Sequence, residues 1–178
     1  MKIYLQDENN SWILFENPDA KELIKRNITI GNNTRIGFIT RIGNNVSIGD
    51  YADIGNNVSI GDYADIDNNA SIGDDVSIGD YARIGNNVSI GYNAHIGDFA
   101  QIEKGINLLK SIYIAGSKHS ITYVGNNKVS IGCHTMLIAE WLQKYQEIGN
   151  DNKYNKEQIN EYLQYIQIIK QMLDNNII

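Results

Sequence analysis

Isoleucine occupies every sixth position of the chain from residue 30 to residue 102. Two residues before each isoleucine stands an aliphatic residue, an alanine or a threonine, and a glycine follows in most repeats. A helix cannot bury such a pattern, because six residues turn a helix by roughly 600° and scatter the isoleucines around it. In a strand, residues i and i+2 share one face. The pattern predicts short strands joined by corners, with glycine supplying positive φ at each corner.

The repeats "VSIGDY", "ADIGNN" and "ARIGNN" resemble the hexapeptide repeat of left-handed parallel β-helices, the transferase hexapeptide superfamily. The resemblance covers about residues 28–106. It implies a triangular prism with three hexads in each 18-residue coil, usually assembled as a homotrimer. Many proteins of this family are acyltransferases, some are carbonic anhydrases and some are non-catalytic. We therefore expect a mainly β protein built on a left-handed parallel β-helix.

Stacking the chain at 18-residue intervals predicts which side chains become neighbours on the outside of the prism. Opposite charges should meet in the pairs Arg35–Asp53 and Asp65–Arg83. One corner should stack three aromatic residues beside three aspartates, and this ridge is a candidate trimer seam or an exposed corner ladder. The aspartates are interpreted as turn formers, with a hard cation such as calcium as the alternative. The ridge consists of Tyr63, Tyr81 and Phe99 with Asp62, Asp80 and Asp98.

The two ends of the chain depart from the hexad. Residues 1–27 are predicted as an N-terminal cap of two short strands, "KIYLQ" and "SWILF", and a helix with Asn17 as N-cap and Pro18 at its first position. Residues 28–106 form the β-helix. Residues 107–134 are predicted as a β-hairpin region, with turn residues in "VGNNKV".

Residues 135–178 are predicted as two C-terminal helices. The first should begin at Thr135 as N-cap and stop at Gly149, and the second should begin at Asn155 with Gln158 completing a capping box. An apolar stripe runs along the second helix and is expected to pack on the first helix or on a neighbouring subunit. The stripe contains Ile159, Tyr162, Leu163, Ile166, Ile169, Met172 and Leu173.

The net charge and the composition indicate the cellular location of the protein and the classes of partner that it is expected not to bind. The net charge of −6 argues against binding a nucleic acid polymer or an anionic membrane. The apolar runs are too short to span a bilayer, and the N-terminus does not resemble a secretory signal. A single cysteine, Cys133, excludes an internal disulfide framework. These features predict a cytoplasmic protein, and we expect no resident cofactor or metal.

Residues 104–139 carry four lysines and neither aspartate nor glutamate, so this segment is +4 while the rest of the chain is −10. Two polar clusters within it, "GSKHSITY" and "GCHT", place histidines beside small hydroxyl or thiol residues. If these strands pair, the N-terminus of a helix starting at Thr135 adds unpaired N–H groups that favour an anion such as a phosphate or a nucleotide. The predicted ligand-binding residues are Ser117, Lys118, His119, Ser120, Thr122, Tyr123, His134, Thr135 and Trp141.

Catalytic alternatives find weaker support in the residues. Acyltransferases of this family usually carry a protruding loop and a histidine base, whereas the repeat here runs from 28 to 103 without an insertion. His95 lies at an outward hexad position and is interpreted as a solvated ladder residue. A carbonic-anhydrase site would require the histidines at 95, 119 and 134 to converge on a metal. Cys133 and His134 are adjacent in a strand and point to opposite sides, so they form no nucleophile–base pair.

The C-terminal part, from "GSKHSITY" onwards, resembles the tail of uncharacterised repeat proteins found in bacteriophages and mobile elements. The resemblance implies a phage origin and not a chemistry. The sequence therefore favours a non-catalytic, trimeric β-helix protein that binds or sequesters a small anionic ligand. An acyl-CoA-dependent acyltransferase and a structural or host-protein interaction module remain as alternatives.

Overall fold

The computed structural model describes residues 2–178 and has the predicted fold class, a mainly β chain built on a parallel β-solenoid. An N-terminal cap precedes the solenoid and consists of β1 (Lys2–Gln6), β2 (Trp12–Glu16) and α1 (Ala20–Lys25). The solenoid strands are β3 (Thr29–Ile30), β4 (Arg35–Ile36), β5 (Thr40–Ile42), β6 (Ser47–Ile48), β7 (Asp53–Ile54), β8 (Ser59–Ile60), β9 (Asp65–Ile66), β10 (Ser71–Ile72), β11 (Ser77–Ile78), β12 (Arg83–Ile84), β13 (Ser89–Ile90), β14 (His95–Ile96), β15 (Gln101–Ile102) and β16 (Asn107–Leu108). Met1, the first residue of the predicted cap, lies outside the described residues.

The solenoid strands form three parallel faces in which each strand pairs with the strand 18 residues later. Ser71, for example, lies between Asp53 and Ser89 in one face. This register confirms the predicted stacking of outward residues. The isoleucines and the small apolar residues point inward and form one continuous buried core along the prism. The cap extends one face, because β1 pairs in parallel with β5 and in antiparallel with β2.

The glycines of the repeat serve a different purpose from the one predicted. Positive φ occurs at the second residue of each corner, as at Asn45 and Tyr63, and not at the glycine after each isoleucine. A Cβ atom on Gly61 would lie 2.3 Å from the Asp80 carboxylate and 2.6 Å from the Asp80 backbone nitrogen. Glycine is required here because successive coils approach too closely for a side chain.

Asp62, Asp80 and Asp98 clamp successive coils together. The Asp62 carboxylate accepts the Asn44 N–H at 2.7 Å, and the Asp80 carboxylate accepts the Asp62 N–H at 2.8 Å. The Asp98 carboxylate accepts the Asp80 N–H at 3.0 Å. These side chains therefore satisfy corner backbone groups, in agreement with their interpretation as turn formers. Within residues 2–178, no cluster of histidine, cysteine and carboxylate side chains is arranged as a metal site.

The predicted surface charge pairs differ in their outcome. Arg35 and Asp53 form an ion pair across neighbouring coils. Asp65 and Arg83 are direct neighbours in the register, but within the described part of the chain they make no ion pair. Both positions are exposed, where such a pair stabilises by less than about 1 kcal/mol. The surface charge pairs therefore contribute little to the stability of the prism, which comes mainly from the buried isoleucines.

Residues 113–174 form a separate layer at the far end of the solenoid, here called the C-terminal module. Its antiparallel sheet contains β17 (Tyr113–Ala115), β18 (Ser120–Tyr123), β19 (Lys128–Ile131) and β20 (His134–Leu137). Two helices pack on this sheet, α2 (Ile138–Asp151) and α3 (Lys156–Asp174). The predicted hairpin is thus part of a larger sheet with its own buried core.

Two predicted helix starts are wrong and one is confirmed. Helix α2 begins at Ile138, because Thr135 belongs to β20 and its hydroxyl donates to the Ser130 hydroxyl at 3.1 Å. Asp19, not Asn17, caps α1 by accepting the Glu22 N–H. The capping box of α3 forms as predicted at its N-cap, and the apolar stripe of α3 faces α2 and the sheet.

Gly149 does not end α2 but lies buried within it. A Cβ atom at this position would lie 2.6 Å from Ile159, so glycine lets α3 approach α2 closely. Among the helices that the structure describes, none combines the length and the apolar character needed to cross a bilayer.

Candidate functional site

A groove of about 170 Å³ lies where the solenoid meets the C-terminal module, and it is here called the end groove. The last complete corner of one edge of the solenoid supplies its floor, and β17, β18 and the loop between them supply its walls. Its principal side chains are Asp98, Phe99, Tyr113, Lys118, His119 and Ser120. Three of these, Lys118, His119 and Ser120, belong to the predicted ligand-binding residues.

The floor of the end groove is the last ring of an aromatic ladder formed by Tyr63, Tyr81 and Phe99. The rings of Tyr63 and Tyr81 are stacked with centroids 4.7 Å apart, and those of Tyr81 and Phe99 with centroids 5.0 Å apart. Phe99 retains 41% of its surface and has no further ring stacked on it among the described residues. The ladder therefore ends with an accessible aromatic surface at the groove.

On this face the solenoid ends at β14, where Thr122 of β18 takes the place of the next strand. In lower coils the glycine N–H donates to a strand carbonyl, as Gly79 does to Ile96 at 2.8 Å. Gly97 instead donates to the Thr122 hydroxyl at 2.9 Å. Thr122 is 1% exposed, so this predicted ligand-binding residue caps the solenoid and is not accessible to a ligand.

Tyr162 of α3 fixes the backbone beside the groove. Its hydroxyl accepts the N–H groups of Lys118 at 3.0 Å and His119 at 2.6 Å, and it donates to the His119 carbonyl at 2.7 Å. Partial burial, assisted by the charges of Lys118 and His134, lowers the pKa of His119. The imidazole is therefore neutral at pH 7 and presents one donor and one acceptor.

The Lys118 side chain lies against the opposite helix end from the one predicted. Its ammonium donates to the Asn152 carbonyl at 2.6 Å and lies 4.5 Å from the centre of the Tyr154 ring. Asn152 is the C-cap of α2, so the negative end of the helix dipole faces this lysine. The helix N-terminus predicted at Thr135 is not there, because α2 begins at Ile138, and Lys118 keeps two further N–H donors.

Behind His119 lies an inner cavity of about 40 Å³, enough for a few water molecules and too small for a nucleotide. His134 and Trp141 line it together with Cys133 and Tyr154. The indole N–H of Trp141 donates to the Val129 carbonyl at 2.8 Å. Trp141 is 3% exposed and supports the site from the core.

The remaining predicted site residues lie elsewhere. Ser117 donates through its hydroxyl and its N–H to Glu161. Thr135 lies in β20, as described above, and Tyr123 faces a second cleft of about 500 Å³ beside the last coil. This second cleft also contains Lys104 and Lys110, and the Lys110 ammonium donates to the Ile177 carbonyl at 2.9 Å.

In the folded chain, carboxylates from other segments lie next to residues 104–139, which contain no aspartate or glutamate. Glu161 binds Ser117, and Glu103 forms an ion pair with Lys128 at 2.6 Å. Asp98 lines the end groove together with Lys118. The groove is therefore lined by side chains of both charges.

His95 lies next to the site but does not enter it. Its ring stacks on Tyr113 with centroids 3.9 Å apart, and partial burial lowers its pKa. It is thus a ladder residue as predicted, although it is stacked and not freely solvated. The ligand-binding prediction overlooked Asp98, Phe99, Tyr154 and Tyr162. The 18-residue period of the ridge gave a usable signal for Phe99, because residue 117 does not continue the aromatic column.

Comparisons with known proteins agree with the repeat architecture. A family model described as bacterial transferase hexapeptide (six repeats) matches residues 39–73, 59–92 and 69–104. These overlapping matches fall within the predicted range of 28–106, so this part of the chain consists of hexapeptide repeats. No curated protein matches the chain.

Among solved structures, the chain is similar to the acetyltransferase domain of PglB from Neisseria gonorrhoeae FA1090, with 18% identity and a TM-score of 0.30. The similarity covers 44% of this chain and 42% of that one, so the chain spans less than half the length of that structure. A similarity of this size carries no functional argument.

Proposed function

We propose that this protein is a non-catalytic hexapeptide-repeat protein that binds a small anionic ligand carrying a planar ring, such as a nucleotide, in the end groove. The observation that carries the proposal is the convergence of an exposed aromatic face, a lysine and a neutral histidine around one groove. These groups belong to Phe99, Lys118 and His119. Three of the residues predicted from sequence line this groove.

Each group offers a separate interaction. A planar ring stacked on Phe99 gains about 1–3 kcal/mol in comparable protein sites. The free donors of Lys118 attract an anionic group, and the neutral imidazole of His119 adds one donor or acceptor. Asp98 disfavours a ligand that is only anionic, and it favours one that also carries a hydrogen-bond donor.

Calorimetric titration with AMP tests the proposal. The double variant Lys118→Ala with His119→Ala is expected to lose binding, because it removes the cation and the imidazole while leaving the Tyr162 contacts to the backbone. Lys170→Ala, which removes an exposed lysine on α3, serves as the control and should bind as the wild type does. Equal affinity of the double variant and the wild type would overturn the site assignment.

An acyl-CoA-dependent acyltransferase is the second candidate. It is favoured by the matching family model, which describes transferases, and by the neutral His119, which has the protonation state of a general base. A steady-state assay with acetyl-CoA and mixed hydroxyl and amine acceptors distinguishes the two. Turnover that disappears in His119→Ala and persists in His134→Ala would favour the enzyme, and no turnover would favour binding alone.

For the assembly we propose a homotrimer, consistent with the family that the repeats resemble, with the ridge of Tyr63, Tyr81 and Phe99 as a candidate seam. Light scattering after size exclusion would give three times the chain mass if this is correct.

A phage origin and a cytoplasmic location remain proposals. A host-protein contact through the helical tail is a third candidate, and it would bind no small ligand.

A further inference from the structure

The structure assigns to the end groove a vacant position in the corner ladder, and we infer that an aromatic α-amino acid fills it. The inference rests on the proposed function and specifies the ligand of the same groove: the anionic group is a carboxylate, and the molecule also carries an ammonium. It follows from comparing the last rung of the ladder with the rungs below it.

In the lower rungs, an aspartate and the aromatic residue that follows it make three contacts with the equivalent two residues one coil earlier. Asp80 accepts the Asp62 N–H at 2.8 Å through its carboxylate, and the Tyr81 N–H donates to the Asp62 carbonyl at 2.9 Å. The Tyr81 ring stacks on Tyr63 at 4.7 Å. Each rung therefore receives an anionic acceptor, an N–H donor and a planar ring from the rung above.

The same three contacts recur one coil later. Asp98 accepts the Asp80 N–H at 3.0 Å, the Phe99 N–H donates to the Asp80 carbonyl at 2.8 Å, and the Phe99 ring stacks on Tyr81 at 5.0 Å. The repetition shows that the pattern belongs to the ladder and not to one pair of residues.

The last rung receives none of the three contacts from the described residues. An 18-residue shift from Asp98 and Phe99 leads to Gly116 and Ser117, where the chain has left the solenoid. Gly116 has no carboxylate, and the Ser117 N–H donates to Glu161. The backbone N–H and carbonyl of Asp98 therefore have no protein partner among residues 2–178, and no further ring stacks on Phe99, while both residues line the end groove.

A free aromatic amino acid carries all three missing groups on one small molecule. Its carboxylate can accept the Asp98 N–H, its ammonium can donate to the Asp98 carbonyl, and its ring can stack on Phe99. Lys118 and the neutral His119 line the same groove and can add donors to the carboxylate of the ligand. The groove also contains the Asp98 carboxylate, a negative charge that disfavours a purely anionic ligand more than a zwitterion.

The test is ligand-detected saturation-transfer NMR and calorimetry with L-phenylalanine on the full chain. Three matched probes each lack one group: L-leucine lacks the ring, phenethylamine lacks the carboxylate and 3-phenylpropionate lacks the ammonium. L-Phenylalanine is expected to bind, and each probe should bind at least tenfold more weakly. AMP is titrated in parallel.

Phe99→Asn removes the ring and keeps the corner, because asparagine occupies equivalent positive-φ positions such as Asn87 and Asn93. Tyr63→Asn is the matched control, since it makes the same change at the opposite end of the ladder. Phe99→Asn should weaken L-phenylalanine binding by at least tenfold and Tyr63→Asn by less than twofold. Thermal unfolding and light scattering confirm that both variants keep the fold and mass of the wild type.

The outcomes separate this inference from the proposed function. Binding of AMP without binding of L-phenylalanine would overturn the ligand class and leave the groove as an anion site. Binding of L-phenylalanine that is unaffected by Phe99→Asn would overturn the placement on the ladder. Binding of neither ligand at millimolar concentration would overturn both.

Discussion

The solenoid and the C-terminal module hold their backbone in place by different means, namely repeated contacts in the solenoid and single contacts in the module. In the solenoid each corner is held by contacts that recur every coil, such as the N–H of Tyr63 donating to Asn44 and that of Tyr81 donating to Asp62. In the module single side chains hold unique contacts, such as the Tyr162 hydroxyl on three backbone groups of Lys118 and His119. Repetition gives a stable but uniform surface, and the accessible groove arises where the repetition stops.

The largest expected effect concerns the solenoid core. Ile66→Ala removes a fully buried side chain and should lower the free energy of unfolding by about 2–5 kcal/mol. Ile84→Ala, one coil later in the same column, should cost nearly the same, because both isoleucines have equivalent surroundings. Denaturant unfolding measures both values. Costs that differ by more than about 2 kcal/mol would contradict the equivalence of the coils.

The next effect breaks the unique contact of the module. Tyr162→Phe leaves the N–H groups of Lys118 and His119 without their acceptor and should cost about 2 kcal/mol. Hydrogen exchange should accelerate at these two amides and remain unchanged at Tyr81 in the solenoid. Tyr165→Phe, which removes a hydroxyl that contacts Glu161 at the surface, is the control. Acceleration throughout the solenoid would show that the two regions unfold as one unit.

A smaller effect tests the close approach of the coils. Gly61→Ala places a Cβ atom against the Asp80 backbone and should cost about 1–3 kcal/mol. Gly105→Ala has no atom within 4 Å of the new Cβ, so its cost of about 1–2 kcal/mol comes only from the positive φ of 72°. Thermal unfolding compares them. A neutral Gly61→Ala would contradict the packing explanation for the repeat glycines.

The smallest effect concerns the corner clamp. Burial, together with the neighbouring charges of Asp98 and Asp62, raises the pKa of Asp80 above its ordinary value of 3.8, although its hydrogen bond from Asp62 acts in the other direction. Stability from the protonated form is therefore lost as the pH rises through the raised pKa. Asp80→Asn should be equally stable or slightly more stable at pH 7, with a weaker pH dependence in the range just above the ordinary Asp80 pKa of 3.8. Asn68 already performs the same clamp by accepting the Asp50 N–H at 2.7 Å. A clear loss of stability at pH 7 would contradict this account.

Much of the fold could be predicted from the sequence because every coil repeats the same hexad of apolar and polar positions. The inward isoleucines, the 18-residue register and the Tyr63–Tyr81–Phe99 ladder all follow from it. The role of the glycines was mistaken, because the spacing between coils is a three-dimensional property that no single corner reveals. Positive φ at Tyr63 and Tyr81 opposes local preference and is imposed by the stacked corners.

The candidate site was predicted only in part, because its walls come from distant segments. Lys118, His119 and Ser120 stood out by composition, whereas the floor at Phe99 belongs to the repeat. Threonine is a common N-cap, which is why the sequence predicts a helix start at Thr135, but its hydroxyl pairs across β19 and β20. Thr122 is a predicted ligand contact, but in the structure its hydroxyl replaces a missing strand carbonyl at Gly97.

Native mass spectrometry of gently purified protein, followed by denaturation, tests most directly whether the end groove binds a small ligand. We expect an extra mass that reproduces between preparations, carries both a ring and an anionic group, and is absent from Phe99→Asn. If the purified protein carries no ligand, adding L-phenylalanine or AMP should produce such an extra mass. An unliganded protein that acquires no mass from either compound, at concentrations up to millimolar, would contradict the account.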